Sequence, residues 1–384
     1  MSNIKNKKIS FFIPKITKED KRKMLEVFNS TILTNGPHTE KFEKAFGKYT
    51  KSKYTTAVSN ATSALHLSLE ALGIGKNDEV IVPNMTFLAT ANSVLMAGAT
   101  PILADVDLND HNISIDSIKN NLTKKTKAII PVHLAGKACK MNDIMKIAKK
   151  KNLFIIEDCA HAIGTKYKKQ HVGTFGDAAC FSFYPTKNIT TSEGGMIISK
   201  SKKISEITKI TRNHGMNRTL KQRYTLGYPW DYDIKKQGYN YRMDEIRAVL
   251  GLNQLKRIRK INSERQKSFK YYCQQLSKIN GINVPDTNDL NDNACHLFRI
   301  SIDETEFGMN RNQVFTKLSE KNITTSVHYK PLSLFTIFKK KSKSYSSLEN
   351  SLKVYDETLS LPFYTGISKN NQNIVIDALK SLKN

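Results

Sequence analysis

Short apolar runs alternate with longer amphipathic stretches through the first two thirds of the chain. Runs at residues 55–58, 79–82, 101–104, 128–132, 153–156, 178–183 and 196–198 read as strands. Several are apolar from end to end, the pattern of strands covered on both faces. Helical spacing separates them, as at 64–72, 87–97 and 141–151. This alternation predicts an α/β domain with a mainly parallel sheet. From Met243 to about Gln275 the pattern becomes one long helix, with Ile246, Leu250, Gln254 and Ile258 near one face. Beyond it, short strands such as 297–302 mix with helices such as 312–321, which predicts a smaller α+β domain.

A chain of 384 residues exceeds the size at which one core keeps growing. The expected division is therefore a large domain over 1–245, a connecting helix over 246–275 and a small domain over 276–384. The Lys- and Ser-rich stretch 339–347 is expected to be a mobile loop. Hydrophobic residues make up 39% of the chain, and no apolar run approaches bilayer length. Residues 1–8 are polar and basic, and the apolar stretch Ile9 to Ile13 is too short for a secretion signal, so the expectation is a soluble, cytoplasmic protein. The five cysteines form no Cys-x-x-Cys pair, are odd in number and sit in apolar company. They read as buried thiols, with no metal site.

A net charge of +27 invites a nucleic-acid or membrane-surface reading. The lysines, however, are spread along the chain among abundant Asn and Ile, and only 149–151 and 339–341 form runs. The expectation is no nucleic-acid partner, with the surplus charge drawing in anionic small molecules.

Candidate chemistry gathers around Lys187, which closes the apolar run 178–184 and precedes Glu193-Gly194-Gly195. A lysine at the edge of an apolar core tends toward its neutral, nucleophilic amine, which forms Schiff bases with aldehydes. A lysine after a strand is also commonly just solvated. In a parallel sheet, ligands collect at the carboxyl ends of strands. At those ends lie Asp158, which suits either a ring nitrogen or a helix cap, and His161. Ala61 and Thr62 stand where open amides attract an anion or merely start a helix. Phe87 suits a ring face or the core, and Ser182 supplies a hydroxyl. Together they describe a planar, phosphorylated aromatic aldehyde with a basic ring nitrogen, which is pyridoxal phosphate.

With these segments, Gly36-Pro37, Pro131 to Gly136, Gly238 to Met243, Gly251 to Leu255 and Val327-His328-Tyr329 make the chain similar to the DegT/StrS family of pyridoxal-phosphate sugar aminotransferases. The resemblance spans nearly the whole sequence and implies an aspartate-aminotransferase-like fold (fold type I). It implies that Lys187 carries the cofactor and Asp158 binds its ring nitrogen, with His161 near the ring hydroxyl. Thr62 and Ser182 would hold the phosphate, helped by Asn240 from a second subunit, hence a homodimer with shared active sites. His328, Tyr329, Trp230 and Arg242 are candidates for the sugar side. Where the family usually has Gly, this chain has Ala61, so the turn must avoid a positive φ. Members that dehydrate sugars carry His at the lysine position, so Lys187 favours transamination. Segment 184–195 looks more like members that aminate C4 than C3. The implied reaction moves an amino group from L-glutamate to a nucleotide-linked keto-sugar, at C4 of a 4-keto-6-deoxyhexose, for cell-surface glycan or glycoconjugate biosynthesis. The competing expectations are a 3-keto sugar or keto-cyclitol acceptor, and a non-catalytic regulatory or nucleic-acid-binding protein on the same fold.

Overall fold

A computed structural model describes residues 8–218, 222, 227–234 and 236–383; residues 1–7, part of the basic start read above as no secretion signal, lie outside this description. All seven apolar runs become strands of one sheet. They are β1 (Tyr54–Val58), β2 (Glu79–Pro83), β3 (Thr100–Ala104), β4 (Thr126–Ile129), β5 (Phe154–Asp158), β8 (Ala178–Ser182) and β9 (Gly195–Ser199), with a small hairpin of β6 (Lys166–Tyr167) and β7 (Gln170–His171) between β5 and β8. The sheet order is β1-β9-β8-β5-β4-β2-β3. Only β9 runs antiparallel to its neighbours. The expected α/β class and mainly parallel sheet are therefore present.

Period-two alternation sends each strand's side chains to two cores. Val80, Val82, Leu103, Ile156, Cys180 and Ile197 face the helix Ala61–Ala71. On the other face, Ile81, Ile102, Ile129 and Ile155 meet the helix Met141–Lys151, while Ala179, Phe181 and Ile198 meet Phe42 and Phe46. Strand β4 stops at Ile129 rather than Val132, because Pro131 has no amide to give the ladder; Val132 keeps a single bridge to Asp158.

The C-terminal region builds a three-stranded antiparallel sheet of β10 (Ile282–Asn283), β11 (Phe298–Ile302) and β12 (Thr358–Leu361). Its core includes Phe269, Tyr272, Phe298, Val314 and Leu379, and Ile9 joins the same cluster after pairing with Ile323.

Two expectations are corrected. The single helix over 246–275 is two helices, Glu245–Leu255 and Ile258–Leu276, broken where Arg257 leaves helical geometry (φ −107°, ψ 3°). Its guanidinium there holds the buried Asp20 at 2.8 Å and 2.9 Å. The stretch 339–347 is not a loose loop. Lys343 bridges Ile102, Ser344 Oγ donates to Leu103 O at 2.9 Å, and Tyr345 OH donates to Glu79 Oε1 at 3.0 Å, covering the exposed edge of β3. All five cysteines are buried free thiols, as expected. Among the described residues no helix is long and apolar enough to cross a membrane.

Candidate active site

Strands β1, β5 and β8 point the same way, so their carboxyl ends share one edge with the start of antiparallel β9. After β8, Pro185 interrupts the ladder and Lys187 N–H closes a turn on Tyr184 O at 2.9 Å. Thr191 N–H and Thr190 Oγ1 both return to Phe183 O, at 2.9 and 3.0 Å. The segment carrying Lys187 is thus a closed loop. Lys187 sits in a narrow recess among Ile13, Pro14, Pro185, Asn188 and Ile261. Burial lowers its ammonium to about 8, while the negative charge of Asp158 opposes that shift.

Asp158 ends β5 and is buried. Its Oδ1 accepts from Ala160 N–H at 3.1 Å and its Oδ2 from Thr90 Oγ1 at 2.9 Å. Burial raises its carboxyl above the usual value against those bonds and the charge of Lys187. The following residues form turns rather than a helix, so Asp158 is not a helix cap.

In that turn His161 has a defined tautomer. Nδ1 accepts from Ala135 N–H at 3.2 Å, so the proton belongs on Nε2, which lies 3.0 Å from Tyr329 OH. Burial, then the charge of Lys187, holds His161 neutral. Tyr329 stacks on His161 with ring centres 5.9 Å apart and approaches Phe87 at the same centre distance. Phe87 is 52% exposed, so its ring is open on one side. His328 Nδ1 meets Ser360 Oγ at 2.9 Å and its ring stacks on Phe11.

The anion end is built by close approach. Gly195 lies opposite both Val58 and Ser182, and a Cβ there would fall 2.4 Å from Asn60 O. Asn60, extended at φ −167°, caps the helix Ala61–Ala71 by accepting from Ser63 N–H. The first helical bond is Ala64 N–H to Asn60 O at 3.1 Å, which leaves the amides of Ala61 and Thr62 ahead of the ladder, on the turn that Gly195 packs against. Ala61 is the first residue of this helix, and its φ is not positive.

An amine held near neutrality, a buried carboxylate beside it, an open aromatic face and free helix amides are the donor set that a phosphorylated pyridine aldehyde requires. The remaining candidates are placed elsewhere in the single chain. Trp230 is 72% exposed and stacks on Tyr228. Arg242 donates to Asn213 Oδ1 at 3.0 Å and lines a separate cavity with Tyr232 and Ile234. Asn240 is exposed.

Sequence reasoning missed Thr90 and His296. Thr90 carried a weak signal, since it follows Thr86 at helical spacing and the two hydroxyls are 3.0 Å apart. His296 packs its ring 4.3 Å from that of His161 and meets Asn188 Oδ1 at 3.2 Å; nothing local marks it. The buried trio His133, Glu157 and Cys159 has metal-like spacing. Glu157, however, already accepts from the amides of Gly173, Phe175 and Gly176 and meets His133 Nε2, so the trio buttresses the site.

Comparison with known proteins identifies the family. The DegT/DnrJ/EryC1/StrS aminotransferase family matches residues 14–380. The chain is 36% identical to the spore coat polysaccharide biosynthesis protein SpsC of Bacillus subtilis, over 98% of each sequence. The putative sugar aminotransferase Spr1654 of Streptococcus pneumoniae, solved in a PMP form, superposes with a TM-score of 0.91 at 29% identity, over 98% of this chain and 99% of that one. PseC of Helicobacter pylori, an aminotransferase involved in the biosynthesis of pseudoaminic acid, gives 0.89 at 28% identity over 98% and 99%.

Proposed function

The chain belongs to the DegT/DnrJ/EryC1/StrS aminotransferase family and is a pyridoxal-phosphate-dependent sugar aminotransferase; from that premise we propose that it moves an amino group from L-glutamate to C4 of a nucleotide-linked 4-keto-6-deoxyhexose, in the cytoplasm. The observation that carries the reading is that half-buried Lys187 and buried Asp158 follow the carboxyl ends of the adjacent parallel strands β8 and β5.

When bound, the cofactor supplies the carbon that carries the amino group and a ring that draws electrons from it. Lys187 Nζ takes the proton from the donor carbon and returns it across the transfer, a task its value of about 8 suits near neutral pH. Asp158 holds a proton on the ring nitrogen, and Thr90 fixes the carboxylate in place. His161 offers Nε2–H, shared with Tyr329 OH, toward the ring hydroxyl. The amides of Ala61 and Thr62, with the Ser182 hydroxyl, grip the phosphate, and Phe87 covers the ring. Asn240 reaches the phosphate of a second copy, which makes the functional unit a homodimer. His328, Tyr329, Trp230 and Arg242 face the sugar in that dimer. Residues 1–245 carry the cofactor, 276–384 cover the substrate, and 246–275 join them. The +27 charge favours approach of a diphosphate.

C4 chemistry is supported by the run from Tyr184 to Gly195. Purified protein with L-glutamate and a panel of nucleotide-linked keto-sugars is expected to aminate 4-keto compounds. Turnover of only 3-keto sugars or keto-cyclitols would overturn the assignment.

A further inference from the structure

The phosphate contact proposed for Asn240 needs an arm that presents it, and the chain grips that arm from one side. Residues 238–241 run extended beside 211–214. Tyr239 N–H donates to Thr211 O at 2.7 Å, His214 N–H to Tyr239 O at 3.0 Å and Tyr241 N–H to Arg212 O at 3.0 Å. Asn240 bridges Asn213, and a Cβ on Gly238 would fall 2.0 Å from Gly215 N, so the two backbones are in close contact. Side chains alternate along an extended chain. Tyr239 and Tyr241 leave one side, where their rings stack 5.0 Å apart at 10° and pack on the core cluster that contains Val58, Ala64 and Leu67. Asn240 leaves the other side and is exposed.

The helix Ala61–Ala71 meets the two tyrosines through His66 and Glu70, four residues apart on one helix face. Tyr239 OH donates to Glu70 Oε1 at 2.7 Å, its ring centre lies 4.9 Å from that of His66, and Tyr241 OH lies 3.5 Å from His66 Nδ1. Burial, then the bond to Glu70, pushes the Tyr239 phenol up, so it stays a donor. The reaction above uses none of these four side chains. Among the described residues that phenol is the one group that hydrogen-bonds the Glu70 carboxylate. The other oxygen, Oε2, is buried without a partner, and His66 Nε2 stands 3.8 Å from Oε1.

A grip on the arm can serve either of two sites. Ser59 N–H donates to Tyr241 O at 2.8 Å, so the arm also touches the turn that carries this chain's own helix amides. That contact comes from the Tyr241 backbone, which Arg212 O already fixes. The bond from Glu70 acts instead on Tyr239, which adjoins Asn240 and is two residues from the contact with Ser59. We propose that Tyr239, held by Glu70, is a positioning residue that fixes the direction of Asn240 and so sets the phosphate contact in the second copy. This inference rests on the homodimer with shared sites proposed above and names the group that aims its arm.

The test uses mixed dimers of full-length chains, purified through two different tags, in which one chain carries Lys187→Met. Only the site that keeps Lys187 then develops the absorbance of lysine-bound cofactor, so cofactor titration reads that site alone. Tyr239→Phe is placed either in the Lys187→Met chain, whose arm serves the reporting site, or in the chain that keeps Lys187. The first arrangement is expected to bind cofactor about three- to tenfold more weakly, as loss of one hydrogen bond does, and the second to bind it unchanged. Glu70→Ala should repeat this pattern, and Glu70→Gln, whose amide oxygen still accepts from the phenol, should restore the affinity. Asn240→Ala, run in both arrangements, measures the arm itself, and adding Tyr239→Phe to it in the same chain is expected to cost nothing further. An equal loss from Tyr239→Phe in the two arrangements marks a structural role within each chain and overturns the proposal. No loss from Tyr239→Phe in either, while Asn240→Ala weakens the first, overturns it and leaves the shared site standing. If Asn240→Ala changes neither arrangement, or no mixed dimer forms, the shared site fails and the inference with it. If Tyr239→Phe does not fold, Glu70→Ala carries the same two arrangements.

Discussion

An ammonium group pushed down to about 8 works against the cofactor-free fold. Its value in the folded chain lies below the unfolded value, so between the two the unfolded chain binds more protons and stability rises with pH. Lys187→Met is therefore expected to stabilise the cofactor-free protein by about 1–3 kcal/mol at pH 7, with the gain shrinking above pH 8 and gone near pH 10.5. Urea unfolding at several pH values checks this; a gain independent of pH contradicts it. The same variant is expected to lose cofactor absorbance and all turnover, which separates catalytic need from folding. Lys187, Asp158, Phe87, Thr62 and Ser182 were legible in the sequence because each ends or follows a conspicuous apolar run. Thr90 and His296 were not, because their meaning comes from partners far along the chain. The Thr90 to Asp158 contact spans 68 positions, the His296 to Asn188 contact 108, and the His161 to Tyr329 contact 168.

At the scale of elements, the anion end depends on β9 lying against the turn at Asn60. Gly195→Ala would drive a methyl group into the Asn60 carbonyl, a backbone atom that cannot rotate away. The expected result is a loss of about 1–3 kcal/mol in stability and roughly tenfold weaker cofactor binding, because the turn that carries the helix amides is pushed away from β9. Thermal unfolding and cofactor titration measure the two effects, and unchanged cofactor affinity would contradict this account of the cradle. The strands themselves were easy to find because burial on both faces leaves few polar positions in them; all five residues of β2 and of β9 are buried. The break at Arg257 was not legible, since no Pro or Gly marks it and its cause is Asp20, 237 positions away. The stretch 339–347 misled in the opposite direction. Its composition is that of a loop, but the open edge of β3 gives its backbone and hydroxyl groups partners.

For the whole molecule, the single chain assembles the lysine, carboxylate and ring contacts but leaves Asn240 at the surface, with Trp230 and Arg242 placed apart from Lys187. The shared site proposed above would resolve this separation. Sedimentation is expected to show a dimer, and Asn240→Ala is expected to weaken cofactor binding by about tenfold, the effect of one lost phosphate contact, without dissociating it. A monomer with full cofactor affinity contradicts the shared site. Spacing alone could not supply the proposed arrangement, because a contact between two copies leaves no periodic trace in one chain.

The central claim is that one lysine among a very basic surface carries the cofactor. Borohydride treatment of the cofactor-loaded protein, followed by peptide mass mapping, tests it most directly. The account predicts a single pyridoxyl-phosphate adduct on Lys187. Adducts scattered over surface lysines, or fixed on another residue while Lys187 remains free, would contradict it.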